Sequence, residues 1–145
     1  TQKAATFEST VSITGALTVA GGVLSSSVSA GIGYATGAGG AVTQATNRTT
    51  AVTLNKLTGQ ITTNNASLGA ELAASFTVTN STVAIGDVVV VSQQSGAVGV
   101  MTTVEVIAVA AGSFIISVMN GNAAGGVAET GAIIINYAVI KAVAA

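Results

Sequence analysis

From residue 7 to residue 19 apolar and polar positions alternate. Val11, Ile13, Leu17 and Val19 fall on one side of an extended chain, and Ser12, Thr14 and Thr18 on the other. A repeat of two is that of a strand, whose successive side chains point to opposite faces. Gly15-Ala16 interrupts the pattern, either as a bend or as a turn between two shorter strands. The alternation returns at residues 75–79 through Phe76 and Val78. It returns again at 132–143, where Ile133, Ile135, Tyr137 and Val139 oppose Ile134, Asn136 and Ala138. Residues 49–54 and 60–63 read as short strands around the connection at 55–59. Val88, Val89, Val90 and Val91 make a continuous β-branched run, the pattern of a strand covered on both faces. Residues 100–109 and 113–119 flank Ala110-Ala111-Gly112 and give the clearest hairpin signal. Residues 68–74 have the composition for a single helical turn, although propensity alone argues weakly for it.

The stretches between these elements are punctuated by small and turn-forming residues. Gly21-Gly22 ends the first alternating segment, and Ser25-Ser26-Ser27 has the composition of a link. Residues 31–40 hold Gly31, Gly33, Gly37, Gly39 and Gly40, Asn64-Asn65 marks a turn, and residues 120–126 form a second Asn/Gly-rich loop. A boundary near Ser29 is expected, with an arm over residues 1–29 and a domain over 30–145. Eight or so short strands, frequent turns and no strong helical pattern predict an all-β fold. Its expected form is an antiparallel β-sandwich or jelly-roll-like domain carrying an extended N-terminal arm.

Composition changes that picture in one respect. Half of the residues are apolar and the mean hydropathy is +0.74, yet only 3% are aromatic. The core must therefore be thin and built of Ala, Val and Ile. Formal net charge is −1, which is low for keeping so apolar a chain soluble on its own. Much of the surface is expected to be covered by partner subunits. No apolar run reaches the roughly 18 residues of a spanning helix, and aromatic girdles of a transmembrane barrel are missing, so membrane insertion is not expected. Too few cations are present to neutralise phosphates, so nucleic acid is not an expected partner. No secretory signal with a basic start and a cleavage site is visible.

Reactive chemistry is scarce. The sequence has no His, Cys, Trp or Pro, and its charged residues are Lys3, Arg48, Lys56, Lys141, Glu8, Glu71, Asp87, Glu105 and Glu129. Catalysis needs groups that titrate near neutrality, activated nucleophiles or metal ligands, so no enzyme activity, cofactor or metal is expected. The acids are isolated and form no calcium loop. Asp87 reads instead as a turn residue ahead of the valine run. Gly31-Ile32-Gly33-Tyr34-Ala35-Thr36-Gly37 approaches a dinucleotide fingerprint, but its last glycine arrives one residue late and no helical pattern follows. The sequons at Asn47, Asn65 and Asn80 read as turn and strand-edge residues rather than glycosylation sites. Phe76 and Phe114 are expected in the core. Three residues are candidates for subunit contacts: Tyr34, which can anchor the glycine loop to a neighbouring chain, and the internal cations Arg48 and Lys56. For the two cations, pairing with an acid across an interface and simple solvation are equally open.

Residues 31–56, GIGYATGAGGAVTQATNRTTAVTLNK, followed by GQIT at 59–62, resemble a block of tailed-bacteriophage structural proteins. So do FTVTNSTV at 76–83, VAAGSF at 109–114 and NYAVIKAV at 136–143. The proteins resembled are of the head decoration, cement or head-fibre type. The likeness runs over about residues 31–145, while SITGALTVAGG at 12–22 is similar to strand-turn units of phage fibres. It implies a virion structural protein on the outer capsid surface that binds the major capsid protein. A homo-oligomer is implied with it, a trimer being favoured. The alternatives are a tail-fibre or spike module that binds a host receptor, and a cell-surface adhesin.

Overall fold

The computed structural model describes residues 7–19 and 31–142. The chain divides into two units, Thr1–Gly33 and Tyr34–Ala145. In the first, residues 7–19 run as irregular chain with a bend at Thr14-Gly15 and no strand, and their side chains are exposed. The alternation there predicts a strand, but a strand needs a ladder partner, and none of the described residues supplies one. The Gly21-Gly22 punctuation, the serine link and the expected boundary at Ser29 lie outside the described residues.

The second unit is all-β, with eight strands and no helix among the described residues. The strands are β1 (Ala41–Thr43), β2 (Val52–Thr53), β3 (Thr58–Thr62), β4 (Ala73–Thr79), β5 (Val88–Ser95), β6 (Thr102–Ala110), β7 (Ser113–Asn120) and β8 (Ile134–Ile140). They form two four-stranded sheets in the orders β1-β3-β8-β5 and β2-β4-β7-β6. Both sheets are mixed: β1 pairs with β3 and β2 with β4 in parallel, and the other ladders are antiparallel. This corrects the expectation of purely antiparallel sheets. Alternation along one strand is the same whichever way its neighbour runs, so it carries no information on direction.

The buried faces of both sheets contribute to one core. Ile61, Val89, Ile135, Tyr137 and Val139 come from the first sheet, and Val52, Phe76, Val78, Phe114, Ile116 and Val118 from the second. Phe114 and Tyr137 meet at a centroid distance of 5.3 Å and a tilt of 53°, a geometry aromatic rings favour. The expected core positions Phe76 and Phe114 are buried, as is the Ile133, Ile135, Tyr137, Val139 series. The β6–β7 hairpin forms as its sequence predicts, with Gly112 at φ 77° in the turn.

Two local expectations fail. The valine run is not covered on both faces within this chain: Val89 is buried, whereas Val88 and Val90 are about half exposed. As the first residues of β5, an edge strand of its sheet, they project from the face away from the core. Residues 68–74 form no helical turn. Leu72 N–H donates to the Gly69 carbonyl at 3.2 Å, closing a β-turn, and Glu71 takes φ 62°. That turn is pinned by β7: Glu71 N–H donates to the Asn120 carbonyl and Asn120 N–H to the Leu72 carbonyl, each at 2.9 Å. Two backbone bonds to a neighbouring strand outweigh the small helical preference of the segment.

Candidate functional site

Polar side chains gather at the two ends of β8. Before its start lies a buried cluster centred on Arg48 and Glu129. The Arg48 guanidinium donates to the Ala66, Glu129 and Gly131 carbonyls and to Thr63 Oγ1. Glu129 is fully buried and its carboxylate accepts from the N–H groups of Val98, Gly99 and Gly131 and from Thr102 Oγ1. Burial pushes the carboxyl up, but these hydrogen bonds together outweigh it and hold the group at about 2. Burial pulls Arg48 down from its ordinary value, opposed by the charge of Glu129. A guanidinium remains protonated under such a shift.

The arrangement is a tie, not a reactive centre. Arg48 gathers the connections at 44–51 and 63–72 with the segment leading into β8, and Glu129 ties the β5–β6 connection to the same place. Gln44 joins it, donating to the Arg48 and Thr50 carbonyls and accepting from Asn64 N–H. Nearby, Asn120 donates to the Leu68 and Val127 carbonyls and accepts from Asn122. No buried side-chain polar atom among the described residues is left without a partner.

At the other end, Tyr137 O–H donates to the Leu54 and Lys56 carbonyls and accepts from Asn80 Nδ2. Burial pushes this phenol up to about 12, with the Asn80 bond opposing. Tyr34 O–H donates to the Val139 carbonyl, and Lys56 Nζ donates to the Gly37 carbonyl at 3.1 Å. Both bonds fasten the glycine-rich loop to its own domain. Asp87 accepts from Lys141 Nζ in an ion pair and from Ala84 and Ala142 N–H, and the Lys141 hydrogen bond leads the interactions that hold its carboxyl below the usual range. Asp87 is thus the turn residue its sequence position predicts.

The three residues expected at subunit contacts are therefore separated. Tyr34 and Lys56 lie together at the Val139 end, and Arg48 lies at the opposite end, before β8 begins. Arg48 is neither solvated nor paired with an acid, because its donors are taken by carbonyls and a hydroxyl of its own chain. Tyr34 anchors the glycine loop within the chain, and its ring stays partly exposed. The sequence places Asn80 at a turn or strand edge, as found, and Asn120 only within a loop, and it gives no role to Glu129. The two asparagines carry a readable signal: each stands at a strand end and accepts from the residue two positions on, as an Asx turn does. Glu129 carries none, since its donors come from residues 27 to 31 positions away and from Gly131.

Exposed apolar side chains recur from β5 to β6. Val88, Val90, Val98, Val100, Met101 and Ile107 are exposed on β5, β6 and the connection between them. From residue 88 to residue 128 the only charged residue is Glu105. On the outer face of the first sheet, Thr58, Val90, Ser92, Asn136 and Ala138 line a shallow groove of about 330 Å³. The surface can offer apolar area, open sheet edges and a few amide and hydroxyl groups. Comparison of this chain with protein-family models, curated proteins and solved structures gave no match in any of the three.

Proposed function

We propose that this chain is a structural subunit of a phage virion, decorating the capsid and stabilising it through subunit–subunit and subunit–shell contacts. The two sheets pack as a sandwich-like domain and residues 1–29 serve as its arm. The partners are the major capsid protein and further copies of the chain, with a trimer as the favoured assembly on the outer capsid surface. The observation that carries this reading is the stretch from β5 through its connection to β6, which exposes several large apolar side chains and carries a single charge, Glu105. A surface that offers area rather than charge acts by burying it. Stable interfaces remove about 1,200–2,000 Å² from water. Small side chains suit such contacts because they let backbones approach closely. The likeness of residues 31–145 to decoration and head-fibre proteins supports the same reading.

The test is electron microscopy of virions labelled with a gold-conjugated antibody to this chain. Label over the head surface is the expected result. Label confined to the tail would favour a fibre or spike module that binds a receptor, and unlabelled virions would overturn both readings. Native mass measurement of the purified protein decides between a trimer and other assemblies.

A further inference from the structure

Asn120 is the only asparagine of the chain that is followed by glycine. Such a pair is among the least durable in a polypeptide near neutral pH. Gly121 has no side chain to hinder its backbone nitrogen, so that nitrogen can reach the side-chain carbon of Asn120. It gives up its proton and bonds to Cγ, and the C–N bond to the side-chain amide breaks, releasing ammonia. Water then opens the succinimide at either carbonyl, leaving aspartate or isoaspartate. Asparagine counts among the thermolabile residues for this reason.

The fold nevertheless depends on both residues. Asn120 ends β7, is fully buried, and donates its amide to the Leu68 and Val127 carbonyls, each at 3.0 Å. Its Oδ1 accepts from Asn122 N–H at 3.2 Å and from Asn122 Nδ2 at 2.9 Å. Only a carboxamide side chain supplies two donors and an acceptor together, and asparagine is the shorter of the two that carry one. Gly121 N–H donates to the Met101 carbonyl at 3.0 Å, and a methyl group on Gly121 would meet that oxygen at 2.9 Å. The same contacts block the reaction. The attacking nitrogen is held by Met101, and turning it toward Cγ means rotating the Asn120 peptide group. That rotation breaks the bond from Glu71 N–H to the Asn120 carbonyl as well.

We propose that Asn120-Gly121 is a deamidation site kept latent by the fold, and that its conversion in the opened chain prevents refolding. Reaction requires the end of β7 to open, so its rate follows the population of that opened state. An aspartate at position 120 brings a negative charge and an acceptor to the place where the Leu68 and Val127 carbonyls now meet donors. A buried charge facing acceptors is costly. Isoaspartate adds a methylene to the backbone and displaces Gly121 from Met101. Unfolding is then made irreversible by a chemical change in the chain itself. The chemistry is independent of any role in a capsid.

Two measurements on the full chain test it. In the first, the protein is aged at mildly alkaline pH, one portion native and one in enough urea to unfold it, and peptide mass mapping follows every asparagine. In urea, conversion at Asn120 is expected to run ahead of that at Asn122 and Asn136. In the native portion it is expected to be slower by at least about tenfold. Equal rates with and without urea, or no lead for Asn120 in urea, overturn the proposal. In the second, the portion aged in urea is refolded by dilution and separated by size. Chains converted at position 120 are expected to be depleted from the folded fraction and enriched in the aggregate. An even distribution between the two fractions overturns the link to refolding.

Discussion

Arg48 and Glu129 share one buried cluster without pairing as ions. Arg48 reaches the Glu129 main-chain carbonyl at 3.1 Å, while the Glu129 carboxylate is turned to Val98 and Gly99 N–H, Thr102 Oγ1 and Gly131 N–H. Each charge is thus neutralised by peptide dipoles, and the attraction between the two acts only at longer range. The consequence is mechanical. Loops distant in sequence are held by two side chains.

Removing that carboxylate leaves the N–H groups of Val98, Gly99 and Gly131 and the Thr102 hydroxyl without their acceptor. Glu129→Ala should lower the unfolding free energy by about 1–3 kcal/mol or more, measured by urea denaturation. Glu129→Gln retains the shape but not the charge, and should lose less.

Acid should unfold the domain through the same group. The folded carboxyl sits near 2, below its ordinary value of 4.5. A depressed carboxyl stabilises the fold fully above the unfolded value and loses that contribution as pH falls. Stability should therefore drop between about pH 4.5 and 2, and the Glu129→Gln variant should show a flatter profile across that window.

Tyr137 gives the opposite sign. Its phenol is raised to about 12, so its contribution is complete below the unfolded value near 10 and disappears as pH rises through 12. Ultraviolet titration of a Tyr34→Phe variant should show the remaining phenol ionising late. Tyr137→Phe should cost about 0.5–1.5 kcal/mol, because the hydroxyl's hydrogen bonds are lost while the Leu54 carbonyl keeps Lys56 N–H and the Lys56 carbonyl keeps Asn80 Nδ2.

Two glycines separate close approach from turn geometry. A methyl group on Gly131 would meet the Gly96 carbonyl oxygen at 1.8 Å, whereas one on Gly112 meets nothing within 4 Å and suffers only its φ of 77°. Gly131→Ala should destabilise by at least about 3 kcal/mol, since the clash is with backbone that cannot yield cheaply. Gly112→Ala should cost about 1 kcal/mol. Thermal unfolding of the two variants measures the difference.

Assembly should resist salt. At 1 M the screening length is about 3 Å, so charge-driven contacts dissociate while apolar ones persist. Native mass and sedimentation at low and high salt should give the same oligomer. Dissociation would point instead to the few charged side chains.

Much of the sheet structure was legible in the chain. The series Ile133, Ile135, Tyr137, Val139 told both that β8 is a strand and which of its faces is buried. The β6–β7 hairpin followed from Ala111-Gly112 between two apolar runs. The valine run misled, because four β-branched residues in a row read the same in a central strand as in an edge strand. The arm misled for a related reason: alternation reports that a segment can be a strand, not that a partner is present.

The sequence by itself determined an all-β chain with a thin aliphatic core and almost no reactive groups, because period, side-chain size and composition are local properties. Only the tertiary structure decided that two pairings are parallel and that Arg48 and Glu129 are buried rather than solvated. It alone decided that β5 and β6 are the last strands of their sheets. Each of these depends on which segments become neighbours, and contacts between residues tens of positions apart leave no periodic trace along the chain.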